Sequence, residues 1–277
     1  MSAVGFIGLG QIGAPMATHL IGWPDGLIVC DARAEATVPF AERGADVAAT
    51  PEDVAARAGL ISVMVRDDAQ VREVVEEILT TAHAGSVVAV HSTIAPGTAE
   101  ELAAAGAERT VDVVDAPVSG GFIAAANASL AVFAGGPAEA VERCREVFAR
   151  WASLVVHVGP AGAGTRAKLA RNLLQFAGFA AALESQRLAE AAGIDLATLA
   201  KVVRHSDGVT GGPGAIMLRD TTTSLEPDSP LYDVLTHTRE LGEKDLRLAL
   251  DLGRKLGVEL PFAELALERF GPSLGLP

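Results

Sequence analysis

Over its first 160 or so residues the chain alternates short apolar runs with amphipathic stretches. The runs are VGFI, LIVCD, LISVMV, SVVAV, VDVVDAP, LAVFAGG and LVVHVG. Several are apolar without a break, the pattern of strands covered on both faces of a largely parallel sheet. The stretches between them carry helix signals. TPEDVAARA puts Thr50 at an N-cap, Pro51 at the first helical position and Asp53 at the third. APGTAEELAAAG and GPAEAVERCREVFARW are similar, the second with acids early and bases late, as the helix dipole favours. Repeated strand–helix units predict a doubly wound α/β domain. The pattern changes at VGPAGAGT. No strand signal follows, and helices are expected at about 165–192, 195–205, 233–257 and 261–270. The Gly-rich stretch SDGVTGGPGAIM between them reads as a loop that borders something that moves or binds. A boundary near residue 162 gives an α/β domain over 1–162 and an all-helical domain over 163–277.

Composition narrows this picture. A chain of 277 residues has room for two domains, each with its own core. It is 49% hydrophobic but only 4% aromatic, so the core is built from small aliphatic side chains. The net charge of −13 repels phosphate backbones and argues against a nucleic-acid partner. The two cysteines, Cys30 and Cys144, have no metal-ligand spacing and suit a reducing compartment. No basic region precedes the first apolar run, as a signal peptide would require. The longest nearly apolar stretch, LLQFAGFAAAL, is too short to span a bilayer. These features predict a cytoplasmic protein with no membrane, metal or nucleic-acid association.

Three motifs carry chemistry. In GFIGLGQIGAPMA, Gly8, Gly10 and Gly13 form G-x-G-x-x-G after the first strand and at the start of a helix, with Gln11 and Ile12 inside the turn. Such glycines let a pyrophosphate approach the backbone, where unpaired helix N–H groups face it. The second strand ends at Asp31, where a carboxylate can accept from a ribose 2′-OH. Asp31 argues for NAD over NADP, whereas Arg33 offers a counter-charge for a 2′-phosphate or simply lies in water. In DAPVSGG, Ser119, Gly120 and Gly121 form either an anion-binding nest or an ordinary Gly-rich turn.

The third motif is GAGTRAKLARNLL, a Gly-rich turn that enters a helix carrying Lys168. Counted around that helix from Lys168, Asn172 lies at about +40°, Gln175 at about −20° and Arg171 at about −60°. Leu169, Ala170, Leu173 and Ala177 cover the other side. The polar face ends at Phe179 and Ala182, so the later turns are expected to be buried there too. A polar stripe is ordinarily a solvated surface. Here Arg166, Lys168 and Arg171 crowd the positive end of the helix, which should push the Lys168 pKa down and equip it as a general base.

GLGQIGAPMA, DAPVSGG, GAGTRAKLARN and EKDLRLAL occur in this order in the β-hydroxyacid dehydrogenases, and the chain resembles that family over nearly its whole length. The family includes 3-hydroxyisobutyrate dehydrogenase, 6-phosphogluconate dehydrogenase and tartronate semialdehyde reductase. The resemblance implies an N-terminal Rossmann domain, a helical C-terminal domain and an active site in the cleft between them. It implies that Lys168 is the catalytic lysine with Asn172 as its partner, and that Ser119, Gly120 and Gly121 bind the substrate carboxylate. Thr93, Val65, Arg66 and Lys244 fall at cofactor-side positions. The sequence departs from the family at Arg171, where Asn or His is usual, at Ala124 and Ala128 in place of glycines, at His91 in place of an acid, and at Arg66 in place of Pro. The loop around VTGGPGAIM matches no member closely.

The leading expectation is an NAD-dependent 3-hydroxyacid dehydrogenase nearest 3-hydroxyisobutyrate dehydrogenase, with Arg171 gripping an anionic group of the substrate. The alternative is an NADPH-dependent reductase of tartronate semialdehyde, succinic semialdehyde or glyoxylate. A third class is a dinucleotide-binding protein without catalysis. A helical domain rich in Ala and Leu predicts a homodimer or homotetramer.

Overall fold

The computed structural model describes residues 3–276. Nine strands form one sheet: β1 (Ala3–Ile7), β2 (Leu27–Cys30), β3 (Asp46–Val47), β4 (Ala58–Val63), β5 (Val87–Val90), β6 (Asp112–Asp115), β7 (Val118–Ser119), β8 (Leu130–Gly135) and β9 (Ala152–Gly159). Their order is β3-β2-β1-β4-β5-β6-β8-β7, with β9 paired to β8. Pairings from β3 through to β6 are parallel, as is β8 with β9, while β6 and β7 each run antiparallel to β8. The helices are α1 (Gly13–Thr18), α2 (Val38–Ala41), α3 (Pro51–Ala55), α4 (Asp68–Thr81), α5 (Pro96–Ala107), α6 (Gly121–Ala126), α7 (Ala138–Phe148), α8 (Ala163–Ala191), α9 (Leu196–Thr210), α10 (Tyr232–Leu256) and α11 (Pro261–Ser273). Among the described residues none of these helices is long and apolar enough to cross a membrane.

The apolar runs are strands for the reason their pattern suggests. Every residue of β2 and β5 is buried. Alternate residues of one strand serve opposite faces: Phe6, Val29 and Ala89 join one apolar cluster, while Ile7, Ile28 and Val88 join the other. A sheet covered on both faces therefore has no polar side on which to alternate. All seven predicted strands are present. The two-residue β3 and β7 were not expected, because two residues carry no periodicity. Thr50 caps α3 as expected, its hydroxyl accepting from the Asp53 N–H at 3.3 Å.

By compactness the chain divides into Met1–Arg171 and Asn172–Pro277, a division that falls within α8. The second unit is helical, and no strand occurs in it among the described residues. Its buried apolar cluster centres on Leu235, Leu274 and Leu276. Buried Glu184 of α8 accepts from the N–H groups of Phe262 (2.9 Å) and Ala263 (3.1 Å), placing a carboxylate at the positive end of α11. Two expectations are corrected here. Phe179 is 54% exposed and Ala182 is exposed, so the later turns of α8 are not buried on that side. Leu169, Leu173, Phe176 and Leu183 are exposed as well. The stretch SDGV belongs to α9, which ends only where Gly211 takes the left-handed conformation (φ 88°); Gly212–Ile216 then forms a 3₁₀ turn.

Candidate active site

The carboxyl ends of β1, β2, β4, β5 and β6 carry the motif residues of the first unit. At the end of β1, Gly8 has φ 93°, and a Cβ there would stand 2.3 Å from the Met64 carbonyl. A Cβ on Gly13 would stand 2.0 Å from the Gly8 carbonyl, so the turn closes only with glycine at both places. A Cβ on Gly10 would meet nothing within 4 Å. No packing among the described residues demands a glycine there, and Gly10 instead leaves open the space that a pyrophosphate would use. Exposed Gln11 and half-buried Ile12 complete the turn, with Ile12 at the N-cap of α1.

The Asp31 carboxylate accepts from the Leu9 N–H at 2.6 Å and from the Arg33 N–H at 2.8 Å. It therefore holds the Gly-rich loop against the end of β2. The Arg33 guanidinium lies 3.4 Å from the same carboxylate and is largely exposed. Positive φ at Gly8, open space over Gly10 and an acid at the β2 terminus fit a dinucleotide.

After β4 and β5, the Val65 N–H donates to Ser92 Oγ at 3.0 Å and the Ser92 hydroxyl donates to the Val65 carbonyl at 2.6 Å. This reciprocal pair joins the two loops that carry Val65 and Thr93. Thr93 is exposed, and so is Arg66, which pairs with Asp67 at 2.9 Å. Below them His91 is 1% exposed. Its Nδ1 donates to the Ala116 carbonyl at 2.9 Å and its Nε2 accepts from the Ser62 hydroxyl at 3.0 Å. The ring packs edge-on against Phe148 and Trp151. Burial pushes its pKa down to about 4.

Ser119 ends β7, paired with Ala131 of β8. Gly120 (φ 132°) and Gly121 (φ 66°) then turn the chain into α6. Both glycines are exposed, and a Cβ on Gly120 would collide with Ala124 at 2.3 Å.

Lys168 lies in the second turn of α8 and is only 9% exposed. Among the described residues it makes no hydrogen bond or ion pair, and neither does half-buried Arg171. The Lys168 pKa is lowered, first by burial and then by the Arg171 charge. The direction agrees with the sequence argument, but the leading cause is desolvation, which no helical wheel reveals. Arg166, counted beforehand among the perturbing charges, is exposed and pairs with Glu100 at 2.5 Å. Half-buried Asn172 follows Lys168 by one turn of the same helix. Lys244, on α10 of the second unit, is exposed and pairs with Asp245 at 2.6 Å.

Three residues that shape this region were not singled out as functional from the sequence: His91, Ser92 and Asp115. The last stood in a quoted motif, at the end of an apolar strand where a carboxylate needs a reason to be buried.

The chain matches the family described as the NAD binding domain of 6-phosphogluconate dehydrogenase over residues 3–159, and that described as NAD-binding of NADP-dependent 3-hydroxyisobutyrate dehydrogenase over residues 162–272. The crystal structure of a protein from Mycobacterium avium 104 is similar over the full length of both chains, with TM-score 0.95 and 54% identity. An NAD-dependent L-serine dehydrogenase of Pseudomonas aeruginosa is 32% identical over 98% of this chain and 91% of its own. A 3-sulfolactaldehyde reductase of Escherichia coli is 32% identical over 97% and 89%. The dinucleotide turn, the buried lysine and these matches agree: the chain belongs to the β-hydroxyacid dehydrogenase family and is an NAD(P)-dependent oxidoreductase.

Proposed function

We propose that the protein oxidises a small 3-hydroxy acid carrying a second polar or anionic group, with Lys168 as general base and NAD as the preferred cofactor. The observation that carries this reading is Lys168, a buried residue whose ammonium has no partner among the described residues. A buried charge without a counter-ion favours the neutral amine, and a neutral amine can take a proton. Bound nicotinamide supplies the hydride acceptor. Lys168 takes the hydroxyl proton as the adjacent C–H is oxidised, and returns it in the reverse reaction. Asn172 holds the amine and the hydroxyl in line, and Ser119, Gly120 and Gly121 receive the substrate carboxylate. Val65, Arg66, Thr93 and Lys244 belong to the cofactor side. Residues 1–162 form the cofactor domain, and 163–277 the substrate and dimerisation domain of a cytoplasmic enzyme. The uncovered apolar side chains of α8 support a homodimer.

Arg171 supports the choice of acid. It is half-buried, has no partner of its own among the described residues and lies within electrostatic reach of Lys168. One relative is named for a substrate with an anionic group beyond the reacting carbon, the sulfonate of 3-sulfolactaldehyde, which a guanidinium can grip. Arg171→Asn is expected to lower kcat/KM for the best acid by about 10- to 100-fold, the worth of one charge-assisted contact. An unchanged substrate profile would make Arg171 structural.

Asp31→Ala is expected to erode the preference for NAD over NADP by about 10-fold or more, since the 2′-OH acceptor and the repulsion of a 2′-phosphate both vanish. NAD affinity itself should also fall, because Leu9 loses its anchor. A wild-type enzyme that already prefers NADP would show that Arg33 outweighs Asp31.

The test of the whole reading is a panel of 3-hydroxy acids and semialdehydes, including L-serine, 3-hydroxyisobutyrate and tartronate semialdehyde, run with both cofactors. Oxidation of polar 3-hydroxy acids with NAD is the expected result. Preferential reduction of semialdehydes with NADPH would favour the reductase alternative. Tight NAD binding with no turnover on any member would identify a non-catalytic dinucleotide-binding protein.

A further inference from the structure

We infer that Asp115 is a positioning residue for Lys168: its carboxylate clamps the first turn of α8 to the strand that leads into the 119–121 loop. This inference rests on the reading of Lys168 as the general base. Asp115 is the last residue of β6 and is only 3% exposed. Oδ1 accepts from the Gly162 N–H at 2.8 Å and Oδ2 from the Thr165 N–H at 2.7 Å. Both oxygens thus serve N–H groups at the start of α8, where a helix leaves its donors unpaired and where negative charge is favoured. Lys168 follows Thr165 by three residues, so the clamp lies directly beneath it along the helix.

The surrounding packing leaves the joint no play. A Cβ on Gly164 would stand 2.3 Å from the Phe133 carbonyl and 2.5 Å from that of Asp115. A Cβ on Gly135 would stand 2.4 Å from Asp115 Oδ1 and 2.7 Å from the Gly164 N. The helix start is therefore laid backbone to backbone on β6 and β8, with only glycines at the crossing. Thr165 is fully buried there. The Asp115 backbone is itself held on both sides, the strand pairing with Val90 of β5 and Gly135 of β8. Four residues after Asp115 the chain reaches Ser119, in the loop assigned above to the substrate carboxylate. One buried carboxylate thereby sets the spacing between the group that moves the proton and the loop that holds the acid. It touches neither substrate nor cofactor.

Asp115→Asn keeps the size of the side chain but turns an NH₂ group toward one of the two N–H donors. With the faster of L-serine and 3-hydroxyisobutyrate as probe, kcat is expected to fall about 10- to 100-fold, as misplacement by about 1 Å does. The NAD dissociation constant, read by fluorescence titration, should stay within about 2-fold, and the pH limb of kcat should move. The double variant Lys168→Ala/Asp115→Asn should be no slower than Lys168→Ala, since Asp115 acts only through the lysine. A thermal melt shows that each variant is folded at the assay temperature. Should Asp115→Asn not fold, Asp115→Ser, which is smaller and keeps a single acceptor for the two N–H groups, is expected to show the same losses. Wild-type turnover in folded Asp115→Asn, or losses that simply multiply in the double variant, would overturn the inference while leaving an inactive Lys168→Ala in place. Wild-type turnover in Lys168→Ala would overturn the proposed function instead, and this inference with it.

Discussion

Lys168→Ala is expected to lower turnover by about 10²- to 10⁴-fold, the usual range for loss of a positioned general acid–base group, with NAD affinity unchanged. The size of the effect follows from where the amine sits. Lys168 is buried, unpaired among the described residues and close to the Arg171 charge, so its pKa lies below the ordinary 10.5. Oxidation requires the neutral amine, and its rate should rise with pH through that lowered value. Reduction requires the ammonium, and its rate should fall over the same range. Arg171→Asn removes one of the two causes and should move both limbs toward higher pH. Stopped-flow turnover and NAD titration of the alanine variant, with pH profiles in both directions for the wild type and Arg171→Asn, measure all of this. Turnover near the wild-type rate in the alanine variant would remove Lys168 from the mechanism.

The first unit is expected to lose up to about 3 kcal/mol of stability between pH 6.5 and pH 4 through His91 alone. The folded imidazole stays neutral down to about 4, against an ordinary value of 6.5. Between these values the unfolded chain binds a proton that the folded protein refuses, so stability is full above about 6.5 and falls as the pH drops. At 1.36 kcal/mol per pH unit the interval sets a ceiling of about 3.4 kcal/mol, of which about 3 is reached at pH 4, where the folded imidazole is itself half protonated. His91 cannot escape by turning: its Nδ1–H is committed to the Ala116 carbonyl and its Nε2 to the Ser62 hydroxyl, and the ring packs edge-on against Phe148 and Trp151. Urea unfolding followed by tryptophan fluorescence reports this unit, because both tryptophans, Trp23 and Trp151, belong to it. The midpoint should decline from pH 7 to pH 4.5, and more steeply than in His91→Gln, which starts lower for lack of the ring. Equal slopes in the two proteins would place the acid sensitivity elsewhere.

Much of the architecture was legible because it rests on local pattern. VGFI, LIVCD and SVVAV read as strands buried on both faces, and Phe6 and Ile7 do serve opposite clusters. Thr50 and Pro51 marked a helix start that forms as written. The dinucleotide turn was legible in its spacing, since glycine is the residue that permits φ 93° at Gly8 and the contact beneath Gly13. The second unit was read less well. Phe179 and Ala182 were expected to be buried because apolar residues on a helix usually are, but both are exposed. A helical wheel gives the direction in which a face points and not what lies opposite.

The sequence by itself determined the element order, the change from α/β to helical near VGPAGAGT, the glycine turn and the candidacy of Lys168, since each depends on residues adjacent in the chain or one helical turn apart. Only the tertiary structure decided the environments, because burial and hydrogen bonding join residues far apart in sequence. It drew Arg166 away to Glu100 and left Arg171 as the charge acting on Lys168. It made desolvation the first cause of the lowered lysine pKa, and it held His91 neutral through contacts with Ser62, Ala116, Phe148 and Trp151. It also gave Asp115, at the end of an apolar strand, the two N–H groups of α8 some fifty residues on that account for its burial.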